Sequence, residues 1–178
     1  MSKGLLLHDG DYPIVSVNGD LLEYSGEFEL ELLEANLRSI IEEALALVSI
    51  PGSIRVRNLV NDEPKARLDV EKMKRVFVNL IENAVDAMSQ CGELTIQSKE
   101  SDGNLQVAVS DTGTGLEENA AKKIWTPFFT TKARGVGLGL SISKRIVDAH
   151  KGYISFETEV GKGTTFTVAI PLQARNHD

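Results

Sequence analysis

Two carboxamides, one carboxylate and three glycine-punctuated segments are the residues of this chain whose types and spacing suit chemistry. Asn79 and Asn83 stand one helical turn apart within the stretch Lys72–Gln90. Asparagine is a mediocre helix former, so two in mid-helix are locally unfavourable unless something needs neighbouring carboxamides. A solvated polar stripe is the plainer alternative. Asp111 opens the segment Asp111-Thr112-Gly113-Thr114-Gly115. It continues the phase of Leu105, Val107 and Val109, so its carboxylate points where those apolar side chains point, which is costly unless it is paired. Either it accepts local backbone N–H groups as a turn aspartate, or it accepts from the amino group of an adenine and rejects guanine through the latter's O6. Gly113 and Gly115 would permit a ring to approach the backbone closely.

The second glycine segment, Arg134-Gly135-Val136-Gly137-Leu138-Gly139-Leu140, leads into a helix starting near Leu138. Free N–H groups and the dipole at such a helix start favour phosphate oxygens. Gly135, Gly137 and Gly139 remove side chains that would block approach, and Gly139 in the first turn otherwise costs about 1 kcal/mol. Lys132 and Arg134 lie just ahead and can meet phosphate charge, although a flexible basic loop reads the same way. The P-loop pattern GxxxxGK[ST] is absent. The third segment, Gly161-Lys162-Gly163-Thr164-Thr165-Phe166, passes for a hairpin turn. Thr164 shares the phase of Phe166, which would turn its hydroxyl to the same interior as the base.

The elements that must position these groups follow from periodicity. In residues 72–90, Met73, Val76, Phe77, Leu80, Ala84 and Met88 form one apolar face, and Lys72, Arg75, Asn79, Glu82, Asn83, Asp86 and Gln90 form the opposite stripe. Asp69 is placed to cap this helix. Earlier, Ile14–Val17 suggests a short strand, Phe28–Leu32 alternates as a strand, and a helix is expected from about Ala35 to Val48. Ser53–Leu59 reads as a strand, and Asn61–Pro64 as a turn. After the central helix, Glu93–Ser98 and Asn104–Ser110 form a predicted hairpin. A short helix over Glu117–Ile124, a mobile polar loop over Phe128–Gly137 and a helix over Leu138–His150 follow. Ile154–Val160 and Thr164–Leu172 close the chain as a second hairpin. Adjacent hairpins exclude an all-parallel sheet. The expected class is α+β: a two-layer sandwich in which a mixed, mostly antiparallel sheet is covered on one face by three main helices, with a lid loop.

The chain has 178 residues and a hydrophobic fraction of 42%, enough for one ordinary domain with an appendage. A net charge of −7 argues against nucleic acid and anionic membrane as partners. The single cysteine, Cys91, excludes an internal disulfide, and no run of apolar residues suits a membrane span. A cytoplasmic location fits.

Taken in order, the pieces resemble the ATP-binding domain of sensor histidine kinases, within the wider family that includes the gyrase, Hsp90 and MutL ATPases. Five blocks carry the likeness: Asn79-Leu80-Ile81-Glu82-Asn83-Ala84, Asp111–Gly115, Trp125-Thr126-Pro127-Phe128-Phe129, Gly135–Leu140 and Gly161–Phe166. The run TPFFTTK followed by GLGLSISKRIVDAHKG looks like the branch of the nitrogen-regulation sensor kinases. The resemblance implies ATP under a mobile lid. Asn83 would give its oxygen to Mg²⁺, and Asn79 would lie beside the phosphates or the metal. Asp111 would select adenine, and Thr164 would support the water network on that side. Gly137 and Gly139 would offer backbone to phosphate, with Leu138 between them. Lys132 would balance phosphate charge as the lid closes. Phe128 and Phe129 would anchor the lid's root or dock on a partner's helices.

Two departures from that pattern stand out. Many family members carry a phosphate-binding Lys or Arg three residues beyond the metal Asn, where this chain has Asp86. Lys132 or Arg134 would then do the neutralising, while Asp86 touches the hydrated metal or faces solvent. The kinases also need a phosphoacceptor histidine on a preceding helical hairpin, and here the histidines are His8, His150 and His177. None has that setting, so the chain is expected to be a catalytic half: residues 1–26 an extension or linker remnant, 27–173 the ATP-binding domain, 174–178 a disordered tail. Its partners would be a histidine-bearing dimerisation domain and a downstream response regulator, with no nucleic acid, no direct membrane contact and a monomeric state in isolation. Related hydrolases place a water-activating Glu where this chain has Asn79, so slow intrinsic hydrolysis is expected, Glu82 being a weak substitute. The rival readings are an ATPase with nucleotide-driven lid or dimer motion, a protein-serine kinase of the anti-sigma type, and a non-catalytic interaction domain.

Overall fold

The apolar stripe of the central helix dictates the architecture, because it must be covered along its whole length. In the computed structural model, which describes residues 29–132 and 135–172, this helix spans Val70–Ala87. The expectations for residues 1–26, the Ile14–Val17 strand, His8, Arg134, His177 and the 174–178 tail lie outside the described residues. The remaining elements are β1 (Leu33–Ala35), α1 (Leu37–Leu47), β2 (Ile54–Leu59) and β3 (Ala66–Leu68) before the central helix, α2. After it come β4 (Gly92–Ser101), β5 (Asn104–Asp111), α3 (Glu118–Ala121), α4 (Gly139–Ala149), β6 (Tyr153–Glu159) and β7 (Gly163–Pro171).

Five strands form one sheet in the order β2-β4-β5-β7-β6; β2 and β4 are parallel and the other pairs antiparallel. Both predicted hairpins are present, and the sheet is mixed and mostly antiparallel as expected. Helices α1 and α4 flank α2, and α2 also packs on β5. Met73, Val76, Phe77, Leu80 and Ile81 are fully buried against Leu94, Ile96, Val107 and Val109 of the sheet. The opposite face of the sheet is polar, with Thr165 Oγ1 donating to Ser110 Oγ at 2.8 Å.

Three expectations need correction. The alternating run at 28–32 is not the strand over its described residues 29–32; β1 lies just beyond it, at Leu33–Ala35, where it pairs with β3. A strand exists only where a partner offers hydrogen bonds, and β3 is three residues long, too short to show a period. Helix α1 therefore begins later than Ala35, after Asn36, whose Oδ1 accepts from Arg38 N at 2.8 Å and Ser39 N at 3.4 Å. The helix expected over Glu117–Ile124 is a single turn, because Lys123 N bonds Ala120 O and Thr126 N bonds Lys123 O in successive tight turns.

Asp69 caps α2 and ties three segments together. Its Oδ1 accepts from Lys72 N at 3.0 Å, its Oδ2 accepts from Glu31 N at 3.1 Å, and its own N–H donates to His150 Nε2 at 2.9 Å. His150 Nδ1 lies 2.7 Å from Ile146 O, so the ring is a neutral tautomer with its proton on Nδ1. Burial pushes the Asp69 carboxyl upward. The amides of Lys72 and Glu31 and the Lys72 ammonium outweigh burial and hold it below the ordinary aspartate range. A lowered native pKa means the stabilisation is complete above the unfolded-state value and is lost as pH falls through the native one. Asp69→Ala is expected to cost about 2 kcal/mol at neutral pH by urea unfolding. The gap between variant and parent should narrow only below the ordinary aspartate range.

Candidate nucleotide site

Above α2, the described residues enclose a cleft of about 1050 Å³. That is the upper end of the size usual for small-molecule sites, roughly 300–1,000 Å³. Its floor is part of the polar stripe of α2, where Asn79 and Asn83 are half-buried and Asp86 is exposed. Its walls are the loop after β5, the start of β7 and the segments Phe129–Lys132 and Gly135–Leu140.

At one end, Asn83 Oδ1 accepts from Lys132 Nζ at 2.6 Å, and the same ammonium lies 2.5 Å from Asp86 Oδ2. Asn83 Nδ2 is buried and has no hydrogen-bond partner among the described residues. Glu82 lines the same end; burial pushes its carboxyl up, the Lys132 ammonium pulls it back, and Asp86 adds to the rise. One turn earlier, Asn79 Nδ2 donates to Ser143 Oγ at 3.0 Å. A Cβ on Gly139 would collide with Asn79 Oδ1, so the glycine seats the start of α4 on this carboxamide. Asn79 therefore holds the glycine segment to α2 while still lining the cleft.

At the other end sits Asp111, in register with Leu94 at the last position of β5 and buried like Leu105, Val107 and Val109 before it. Its Oδ1 accepts from Gly113 N at 2.8 Å and from Thr164 N at 3.3 Å. Among the described residues Oδ2 makes no hydrogen bond, and Asp111 lines the cleft. Burial pushes this carboxyl above its ordinary range, against the two amides that pull it down. One oxygen of Asp111 thus closes the turn, as one of its two sequence readings expects, and the residue also lines the cleft. The Thr164 hydroxyl pairs with Thr158 Oγ1 at 3.0 Å, and Thr158 Oγ1 accepts from Leu116 N at 2.8 Å.

Asp86, Gly115, Lys132, Gly135, Gly137, Leu138 and Thr164 all line this one cleft, with Asn79, Asn83, Asp111 and Gly139. Gly113 does not; a Cβ there would meet the backbone of Ala87, so it packs the β5 turn against α2. Gly115 and Gly137 also have internal reasons, facing the backbones of Glu159 and of Phe128–Phe129. The loop base is closed by Phe128 N donating to Gly137 O at 2.9 Å. Trp125 adds an anchor that Phe128 and Phe129 had been expected to supply, packing edge-on to Phe156 and Phe166 with centroids 5.9 and 6.2 Å away. Ser143 and Thr158 were missed. Ser143 had a signal, standing one turn beyond Gly139 on the same helix face; Thr158 sits in a strand with no feature to single it out.

The hairpin that carries Thr164 tests this packing. Gly163 has φ +117°, and a Cβ there would run into the carbonyl of Asp111, whereas Gly161 has φ +79° and open space around it. Gly163→Ala is expected to cost about 3 kcal/mol or more in urea unfolding, and Gly161→Ala about 1 kcal/mol.

Residues 68–174 match the family described as histidine kinase-, DNA gyrase B- and HSP90-like ATPase. The signal transduction histidine-protein kinase AtoS of Escherichia coli K12 is 37% identical over 163 residues, covering 88% of this chain and 27% of AtoS. The chain thus spans about a quarter of that curated relative. A solved catalytic domain of the histidine kinase ThkA matches with TM-score 0.70 and 32% identity, over 79% of this chain and 95% of that one. ThkA in complex with the response regulator TrrA matches with TM-score 0.76 and 31% identity, over 92% and 48%. Full-length ShkA in complex with AMPPNP gives TM-score 0.79 and 26% identity, over 89% of this chain and 35% of ShkA. With the sheet, the flanking helices and the cleft in the arrangement described, the chain belongs to the family of histidine kinase-, DNA gyrase B- and HSP90-like ATPases.

Proposed function

We propose that residues 27–173 form the ATP-binding catalytic domain of a two-component sensor histidine kinase, which transfers the γ-phosphoryl group of ATP to a histidine on a separate domain or chain. The observation that carries this reading is a single cleft with an amine acceptor, Asp111 Oδ2, at one end, and a carboxamide oxygen already facing a cation, Asn83 Oδ1, at the other.

The chemistry asked of the chain is alignment and charge neutralisation. Asp111 accepts the adenine amino group and fixes the base. The start of α4, held by Asn79 to Ser143, presents backbone N–H groups to phosphate oxygens. Lys132 supplies a positive charge from the loop. Among the described residues no cluster of three acidic, histidine or cysteine side chains gathers. The oxygen donor at Asn83 suits a hard cation that arrives with the polyphosphate, and Mg²⁺ fits that description. Bound there, the metal would neutralise charge developing on the phosphate oxygens. A neutral imidazole is a nucleophile without a strong base, and with Asn79 where related hydrolases carry a water-activating Glu, slow hydrolysis in water is expected.

The acceptor is not His150, whose ring nitrogens both engage backbone and which is buried. In this reading the partners are a histidine-bearing dimerisation domain and, downstream, a response regulator, with this chain monomeric in isolation and working in the cytoplasm. Among the described residues no helix is long and apolar enough to cross a membrane.

Calorimetry with Mg-AMPPNP and its guanine counterpart tests the reading. The adenine analogue is expected to bind, and the guanine analogue at least about tenfold more weakly. Asn83→Ala and Asp111→Asn should each lose about tenfold or more. Equal binding of the two bases would remove Asp111 from its role. The raised pKa of Asp111 adds a pH signature. The carboxylate, not the acid, accepts from adenine, so affinity should rise with pH through a range above the ordinary aspartate value. Asp111→Asn should abolish that slope. Incubation with a histidine-bearing domain and ATP should yield acid-labile phosphate on that domain; acid-stable phosphate would sink the assignment.

A further inference from the structure

Asp86 stands three residues beyond Asn83 on α2, so the two side chains project to the same side of the helix. One ammonium joins them. Lys132 Nζ lies 2.5 Å from Asp86 Oδ2 and 2.6 Å from Asn83 Oδ1, reaching across from a loop closed at its base by Phe128 and Gly137. A carboxamide oxygen that accepts from an ammonium cannot at the same moment serve a divalent cation, because the two positive charges would repel at contact distance. The Asp86 carboxylate has no such conflict. It also places a negative charge at the end of the cleft assigned to phosphate, which is unfavourable for an anionic ligand unless a cation accompanies it.

We propose that Asp86 is a positioning residue for Lys132. It does not ligate the metal; it keeps the loop's ammonium at the phosphate end of the cleft when a divalent cation takes over Asn83. Were Asn83 to hold the divalent cation, Asp86 would keep Lys132 at this end of the cleft instead of letting it swing into solvent. This rests on the reading of the cleft as a Mg-ATP site. It assigns Asp86 and Lys132 the work of a single cation shared between helix and loop.

The test uses calorimetry of Mg-AMPPNP and Mg-ADP on the parent chain, Asp86→Asn, Asp86→Glu, Lys132→Met and the double variant. Lys132→Met is expected to weaken Mg-AMPPNP about tenfold, the scale of one charge-assisted hydrogen bond, without weakening Mg-ADP. Asp86→Asn should weaken Mg-AMPPNP about threefold, the scale of a partly exposed ion pair, and Asp86→Glu should restore it. In the Lys132→Met background, Asp86→Asn should no longer weaken binding, because an unpaired carboxylate there only repels the phosphates. Without nucleotide, amine-labelling of Lys132 read by peptide mass spectrometry should be faster in Asp86→Asn than in the parent. An equal loss from Asp86→Asn in both backgrounds would mean that Asp86 acts on the metal itself and would overturn the proposal. So would unchanged binding and labelling in Asp86→Asn. If the parent bound neither nucleotide, the site reading would fall and take this assignment with it.

Discussion

Helix α2 has to be covered on nearly every side and yet keep a polar edge, and that constraint organises the molecule. Its apolar stripe lies on the sheet, α1 and α4 close its flanks, and what remains of its circumference is the stripe bearing Asn79, Asn83 and Asp86. Two of these groups are half-buried carboxamides and the third is an exposed carboxylate, and each gains a partner from a neighbouring element. Asn79 finds Ser143, Asn83 finds Lys132, and Asp86 finds the same lysine. The elements that satisfy the helix are the elements that build the cleft.

The glycines illustrate how packing and function share residues. Each of Gly113, Gly115 and Gly139 faces atoms of the protein itself: the end of α2, the β6 strand end and the Asn79 carboxamide. Close internal approach draws the loop after β5 and the start of α4 inward over α2, and the cleft is the space their convergence leaves. Gly163 does the same for the hairpin, laying its backbone on the carbonyl of Asp111 so that the Thr164 amide can reach the carboxylate. Substitution at these positions would disturb the site through the scaffold before any ligand was considered.

The N-terminal end of α2 shows a second clamp, remote from the cleft. Asp69 and His150 join the incoming chain, the start of α2 and the end of α4 through four hydrogen bonds, all to backbone groups. A buried carboxylate and a buried imidazole are tolerable there because each polar atom has an assigned partner. The two helices that frame the site are thus joined at two places, by Asp69–His150 at the start of α2 and by Asn79–Ser143 at its middle.

Sequence periodicity by itself determined the long helices, both hairpins and the inward phase of Asp111, because burial of one face imposes a repeat of 3.6 or 2 that composition cannot hide. The family resemblance, carried by five motifs in order, also implied that Asn79, Asn83, Asp111, Lys132 and the glycine segments form one group. Tertiary structure alone decided the rest. The β1–β3 pair escaped because three-residue strands carry no period, and their pairing is a contact between segments far apart in the chain. Gly113 was assigned to ligand approach, but the contact that makes it necessary is with Ala87. Sequence alone offers Asp86 either metal or solvent, because its partner is 46 positions away on a loop whose course no local pattern specifies. Local preferences are written in neighbouring residues; a hydrogen bond between distant ones exists only once the chain has closed on itself.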